Sequence, residues 1–167
     1  GAEAVQLFIS NPRAWSGPRL ETAHALGAEW REGGIGPLFV HAPYLVNIAS
    51  PNAGFLARSR MLARKTAHAC DGLGVDLLVL HAGAGGDDRP ATARRRAARS
   101  LRDTAAQADR VRVLVELMAG TRGAVASTIG EAAALLIEVD DDRVGLCLDV
   151  FHLFAAGYPL DAPDGVS

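Results

Sequence analysis

Apolar residues along this chain occur in short, dense runs, and longer stretches of mixed polarity separate them. Five runs are rich in Val, Leu, Ile or Phe with little polar alternation, which is typical of strands buried on both faces of a sheet. The predicted strands are residues 4–9, 38–41, 75–81, 111–116 and 144–149. The spacing therefore favours a parallel sheet whose strands alternate with helices.

The intervening stretches predict four helices, at residues 53–73, 91–108, about 128–139 and, more weakly, 20–32. Gly72 and Gly74 flank the end of the first of these and supply a stop signal. Ser127 and Thr128 precede another, with Glu131 three residues after Thr128 as in a capping box. The residues from 158 to 167 contain two prolines and are predicted to be a loop.

Four consecutive strands end on a side chain that can bind a metal ion. These residues are His41, His81, Glu116 and Asp149, and His152 follows the last of them after a predicted turn. In a parallel sheet or β/α barrel the carboxyl ends of all strands meet at one face, where active sites lie. Two carboxylates buried there need cations to neutralise them, and imidazole and carboxylate are ligands for zinc-like ions.

Length limits the architecture that these units can form. The predicted strand ends lie 32 to 40 residues apart, whereas a closed eight-unit barrel takes roughly 250 residues. The 167 residues therefore predict one domain, residues 1–167, that is either a smaller open α/β sheet or part of a (β/α)8 TIM barrel. We favour the partial barrel.

Charge and composition argue against several classes of function. The net charge is −2, which gives no general affinity for nucleic acid, so any such binding depends on a local site. The arginines between 94 and 102 are interpreted as the solvated face of a helix. No membrane span or signal peptide is predicted. Cys70 and Cys147 form no disulfide framework, which favours a reducing compartment, the cytoplasm.

Two loops at the predicted metal face carry further candidates. Tyr44 and Leu45 follow His41, and Arg13 follows the first strand. An arginine can pair with a phosphate, and an aromatic or aliphatic wedge can fill the space in an opened duplex. Ordinary loop packing explains the same residues if composition alone is considered.

These motifs together resemble the endonuclease IV family of abasic-site endonucleases. Residues 143–158, RVGLCLDVFHLFAAGY, resemble the family's G-x-x-x-D-x-x-H segment and the A-A-G-Y after it. HAPYLVN at 41–47 resembles H-x-x-Y-L-I-N, and FISNPRAW at 8–15 resembles F-x-x-N-x-R-x-W. LHAG at 80–83 and VELMAG at 115–120 resemble the H-P-G and E-N-T-A-G segments.

The resemblance implies a role for each matched residue. His41, His81 and Glu116 would ligate one zinc ion, with Glu116 bridging to a second as the catalytic residue. Asp149 would ligate the second ion and His152 a third. Arg13, Tyr44 and Leu45 would enter duplex DNA and hold the abasic nucleotide out of the helix.

The implied activity is zinc-dependent hydrolysis of the phosphodiester 5′ to an abasic site, as in base excision repair. Ala82, the pair Leu117 and Met118, and the pair Val150 and Phe151 depart from the family pattern without removing a ligand. The family's first strand and the ligands of its last strands have no counterpart, so we expect about strands two to six of the barrel.

Such a partial barrel is expected to hold one or two zinc ions, where the complete family site holds three. The complete protein is expected to be a monomer, whereas association is possible for the fragment. The alternatives are a metal-dependent sugar isomerase or epimerase with the same barrel, and a non-catalytic barrel fragment with weak or absent nuclease activity.

Overall fold

The fold is a five-stranded parallel sheet flanked by helices, with strand order β1-β2-β3-β4-β5. The computed structural model describes residues 3–34, 36–118 and 121–161. The strands are β1 (Val5–Leu7), β2 (Leu38–His41), β3 (Leu77–His81), β4 (Arg112–Glu116) and β5 (Val144–Cys147). The helices are α1 (Leu20–Gly33), α2 (Ala53–Leu73), α3 (Pro90–Ala105), α4 (Ile129–Val139) and α5 (Val150–Ala155).

Local sequence signals set the bounds of the helices. The Asn52 side chain accepts a hydrogen bond from the Phe55 amide at the start of α2, and Gly74 ends that helix with a φ of 78°, a conformation that glycine adopts without steric penalty. Thr128 caps α4 by accepting from the Glu131 amide, while the Glu131 carboxylate accepts from the Ser127 amide. The predicted capping box is therefore confirmed, except that the Glu131 carboxylate accepts from the Ser127 amide and not from the amide of the capping residue Thr128.

The core lies between one face of the sheet and the helices. Strand side chains on this face are fully buried, namely Val40, Leu78, Leu80, Val113 and Val115, and they pack with alanines and leucines of α2 and α3. On the opposite face Phe39 and Leu114 are only partly buried, whereas Val79 is fully buried. This second face carries the side chains that lead to the candidate site.

The outer surface of α3 is polar, as predicted from its arginines. Arg95, Arg99 and Arg102 are exposed, and Arg94 forms an ion pair with Glu138 at 2.9 Å. The described part of the chain contains no helix with the length and apolar character that crossing a membrane requires.

The predicted elements are confirmed, with shorter strands at several ends. The strand predicted at 4–9 is three residues long, and the helix predicted at 91–108 ends at Ala105. Tyr158 to Asp161 form no helix or strand, as predicted, and the rest of the predicted terminal loop, 162–167, lies outside the described residues.

One prediction was wrong at the end of β5. The strand was expected to reach Asp149 and to be followed by a turn, but β5 ends at Cys147 and α5 begins at Val150. The reason is the Asp149 carboxylate, which accepts a hydrogen bond from the His152 amide at 2.9 Å. A side-chain acceptor at this position satisfies a free helix amide, so Asp149 is a helix N-cap.

Replacement of a helix-facing strand residue tests this layering. Leu78 is fully buried, so we expect Leu78→Ala to lower the free energy of unfolding by about 2–5 kcal/mol through lost burial and a cavity. Leu20→Ala is the matched control, because Leu20 is 39% exposed at the start of α1; its effect should stay below about 1 kcal/mol. Urea unfolding measures both. Equal losses would contradict the assignment of the buried face.

Candidate metal centre

Strand register brings the predicted donors to one edge of the sheet. His81 and Glu116 are direct partners across β3 and β4, and Glu116 is the partner of Cys147 in β5. His41 pairs with Val79, two residues before His81. Because partners in a parallel sheet point to the same face, the three donors converge where the strands end.

Glu116 is the centre of this group. Its carboxylate is buried, and its oxygen Oε2 lies 3.0 Å from His41 Nε2 and 3.5 Å from His81 Nε2. The other oxygen, Oε1, lies 3.0 Å from His152 Nδ1. The two oxygens of one side chain therefore face different histidines.

The geometry of His41 indicates a cation between the ring and Glu116. His41 Nδ1 lies 2.6 Å from the carbonyl oxygen of Ala42, which can only accept, so Nδ1 carries the proton. In the neutral ring Nε2 is then also an acceptor, yet it lies 3.0 Å from a carboxylate oxygen. Two acceptors at this distance require a proton or a metal ion between them.

Two overlapping sets of donors meet the distance requirement for a metal. His41, His81 and Glu116 form one set, and Glu116, Asp149 and His152 form the other; within each set the ligand atoms lie within 4.8 Å of one another. Among the described residues, His81 Nε2 and His152 Nδ1 are buried atoms that lie 3.5 Å and 3.0 Å from Glu116 oxygens without forming a well-aligned hydrogen bond. Unpartnered buried nitrogens beside carboxylates fit metal ligands better than structural polar groups.

The histidines also determine the ionisation of Glu116. Burial raises the pKa of its carboxyl, but the adjacent His41 and His81 side chains lower it by more, so this pKa lies well below its usual range. A lowered pKa in the folded chain means that the carboxylate favours folding above the ordinary glutamate pKa of about 4.3. This contribution declines as the pH falls below that value.

Cys147 lies beside the site but does not resemble a reactive thiol. Burial, and then the charges of Glu116 and Asp149, raise the pKa of its thiol. It is half-buried and has no disulfide partner. The thiol therefore stays protonated at neutral pH, and its low reactivity is that of a small packing residue.

The donors line a cavity of about 210 Å³ whose rim includes Tyr44. Tyr44 is 59% exposed, and its ring lies edge-on to Phe8 with the centroids 5.0 Å apart. Arg13 is exposed on the loop after β1, and Leu45 is half-buried. Among the described residues Arg13 and Leu45 lie outside the lining of this cavity, so the structure brings Tyr44, but not these two, to its wall.

The whole chain matches a known protein family. The sequence profile of the xylose isomerase-like TIM barrel family matches residues 1–164. The chain belongs to this barrel family. Its five parallel strands and their helices are thus part of a TIM barrel, as the sequence predicted.

Curated proteins with similar sequences are named probable endonuclease 4. The protein from Methanoculleus marisnigri is 36% identical, with 99% of this chain and 61% of the relative covered. The protein from Mycobacterium ulcerans is also 36% identical, over 96% of this chain and 61% of the relative. The chain spans about 60% of the length of these relatives, and its predicted resemblance to endonuclease IV is confirmed.

Solved structures of the barrel family include two kinds of enzyme. Endonuclease IV from Thermus thermophilus is 32% identical with a TM-score of 0.71, covering 93% of this chain and 56% of that one. A D-tagatose 3-epimerase-like protein reaches a TM-score of 0.75 at 20% identity, covering 98% of this chain and 62% of that one. At that identity the second match shows the shared fold alone.

Sequence reasoning missed the contribution of β1 to this site. Gln6 and Phe8 also line the cavity, and the Phe8 ring lies 5.1 Å from the His41 ring. Both residues have the same parity along the first strand, which is the signal that could have identified them. The motif residues Ala119 and Gly120, which follow Glu116, lie outside the described residues.

Because Glu116 belongs to both donor sets, measuring the bound metal of a Glu116 variant tests the proposed metal centre. Glu116→Gln keeps the shape but removes the charge and one oxygen acceptor that both donor sets use, so bound zinc per chain should fall by at least one ion. Glu138→Gln is the matched control, because Glu138 forms its ion pair with Arg94 on the helical layer. Elemental analysis after dialysis measures both variants. Unchanged zinc in Glu116→Gln would contradict a metal centre around this residue.

Proposed function

We propose that this chain is the metal-binding part of a zinc-dependent endonuclease that cuts duplex DNA on the 5′ side of abasic sites. The observation that carries the proposal is the gathering of four donor side chains around a fifth, the Glu116 carboxylate, at the ends of four consecutive strands. The relatives named endonuclease 4 match these same segments. An activity in base excision repair follows from that similarity.

Each donor has a role in holding the metal ions. His41, His81 and Glu116 would hold one ion, and Glu116, Asp149 and His152 would hold a second, so one or two ions are expected on these residues; a third would need further ligands. When bound, zinc supplies Lewis acidity toward water and positive charge beside a phosphodiester. Glu116 spaces the two sets, because its oxygens face different histidines.

The rim residues contact the nucleic acid. Arg13 is exposed and pairs with a backbone phosphate, which compensates for the weak overall charge of the chain. Tyr44 and Leu45 insert beside the abasic nucleotide and fill the space that unstacking leaves. The exposed Tyr44 ring on the cavity wall supports a contact next to the metal ligands, as cleavage of the adjacent phosphodiester requires.

Cleavage of a defined substrate tests the proposal. A protein that joins residues 1–167 to the remaining barrel strands should nick a duplex with one tetrahydrofuran abasic analogue on the 5′ side in the presence of zinc, leaving a 3′-hydroxyl, and a chelator should abolish the reaction. His81→Ala should lower the rate by about 100-fold, because loss of a proposed ligand should cost at least as much as loss of a group that orients one, which costs about 10–100-fold. Gel electrophoresis of end-labelled DNA measures the product. Epimerisation of a ketose without nicking would instead identify a sugar enzyme of the same barrel.

The rim is tested separately from the metal. Tyr44→Ala should weaken binding of the abasic duplex by about 5- to 100-fold, since stacking contributes about 1–3 kcal/mol per base, while bound zinc remains unchanged. Ile137→Ala is the control, because Ile137 is 79% exposed on α4 and should alter neither quantity. Fluorescence anisotropy with labelled duplex gives the affinity. Loss of zinc in Tyr44→Ala would assign this residue to the metal site.

We further propose that residues 1–167 form one part of a single larger barrel domain. Because the chain spans about 60% of its relatives, residues 1–167 alone should nick abasic DNA weakly or not at all. Comparison with a protein that includes the remaining barrel strands decides this point. Full zinc-dependent activity of the shorter chain would show that five β/α units suffice.

A further inference from the structure

Asn47 forms an unusual number of hydrogen bonds for a loop residue near the metal centre. Its Oδ1 accepts from the amides of Ala49 and Ala84, each at 3.1 Å, and its Nδ2 donates to the carbonyl oxygen of Ala84 at 3.1 Å. Its backbone amide donates to Ser59 Oγ in α2. The side chain thus binds both backbone groups of one residue in a different loop.

The partner, Ala84, belongs to the loop that follows His81, and its other side is also paired. Ala84 forms an antiparallel bridge with Ala124 in the loop after β4. The Gly85 amide donates to the Gly123 carbonyl oxygen, and the Val125 amide donates to the Gly83 carbonyl oxygen. Ala84 therefore pairs with Ala124 on one side, and on its other side its backbone amide and carbonyl are paired with the Asn47 side-chain amide, as they would be with an adjacent strand.

Gly83 makes this contact possible. It has a φ of 84°, and a Cβ atom built there would overlap Asn47 Oδ1 and lie 2.8 Å from Asn47 Cα. Any side chain at position 83 would separate the two loops. The absence of one, two residues after His81, leaves room for Asn47.

Asn47 also fixes the loop that carries Tyr44 and Leu45. These two residues occupy the centre of a turn that the Val46 amide closes on the Pro43 carbonyl oxygen at 3.0 Å, and Asn47 follows directly. A second turn, from the Ser50 amide to the Asn47 carbonyl oxygen, begins at Asn47. The residue thus joins the proposed DNA-contacting turn to the loop after a proposed metal ligand.

We propose that Asn47 is a positioning residue that couples the turn holding Tyr44 and Leu45 to the loops after His81 and Glu116. The hydrogen bonds of its side chain keep the DNA-contacting rim at a fixed distance from the metal centre. The assignment rests on the proposed function, because the coupling matters for catalysis only if Tyr44 and Leu45 meet DNA.

The test compares two asparagines of the same loop in the protein that carries the complete barrel. Asn47→Ala should raise KM for an abasic duplex about tenfold, change kcat less than threefold and leave zinc content unchanged. Asn47→Asp keeps the two bonds that Oδ1 accepts but replaces the donor with a carboxylate oxygen that repels the Ala84 carbonyl oxygen, so it too should raise KM with zinc content unchanged. Asn52→Ala removes the α2 cap without touching Ala84, so it should lower Tm with KM unchanged.

Hydrogen exchange separates this inference from the proposed function. Asn47→Ala should speed amide exchange in both residues 43–50 and residues 82–86, whereas Asn52→Ala should affect only the first turn of α2. Unchanged exchange at 82–86 in Asn47→Ala would overturn the coupling. A KM equal to that of the wild type, or a fall in zinc content, would overturn the positioning role. If the wild-type protein does not nick abasic DNA, the proposed function fails, and hydrogen exchange still decides the coupling.

Discussion

A buried carboxylate that faces imidazoles on both of its oxygens is the constraint on which this structure depends. Glu116 is nearly inaccessible to water, and a charge in that position is unfavourable unless opposite charges or donors compensate for it. The compensation comes from three other chain segments, those of His41, His81 and His152. The strands must therefore be parallel, adjacent and in one register, since a shift of one residue would turn each side chain to the opposite face.

The support for this arrangement is divided between the two faces of the sheet. The helix-facing side is a close-packed apolar layer, which holds the strands in register without using polar groups. The other face carries the donors and is partly open. Above the strand ends, hydrogen bonds between loops replace apolar packing, with Asn47 and Ala84 at their centre. In β/α barrels the active site lies at the C-terminal ends of the strands, and the candidate donors of this chain lie at those ends.

Periodicity was sufficient to predict the strands and four helices, and the rule that parallel strands end at one face was sufficient to predict that the five candidate residues lie together. The sequence was insufficient where a single side chain changes the local path. Residues 144–151 read as an apolar run, and only the bond from the His152 amide to Asp149 shows that a helix begins there. The contact of Asn47 with Ala84 joins segments distant in sequence, so no local pattern could reveal it.

The capping role of Asp149 limits its denticity toward a metal ion. Its Oδ1 already accepts the His152 amide, which leaves Oδ2 as the uncommitted oxygen. The same bond sets the first turn of α5 and so the direction of the His152 ring. The Asp149 carboxylate and the His152 ring are consequently not independent: unwinding of this six-residue helix would displace both, and an ion held by either would favour the helical state.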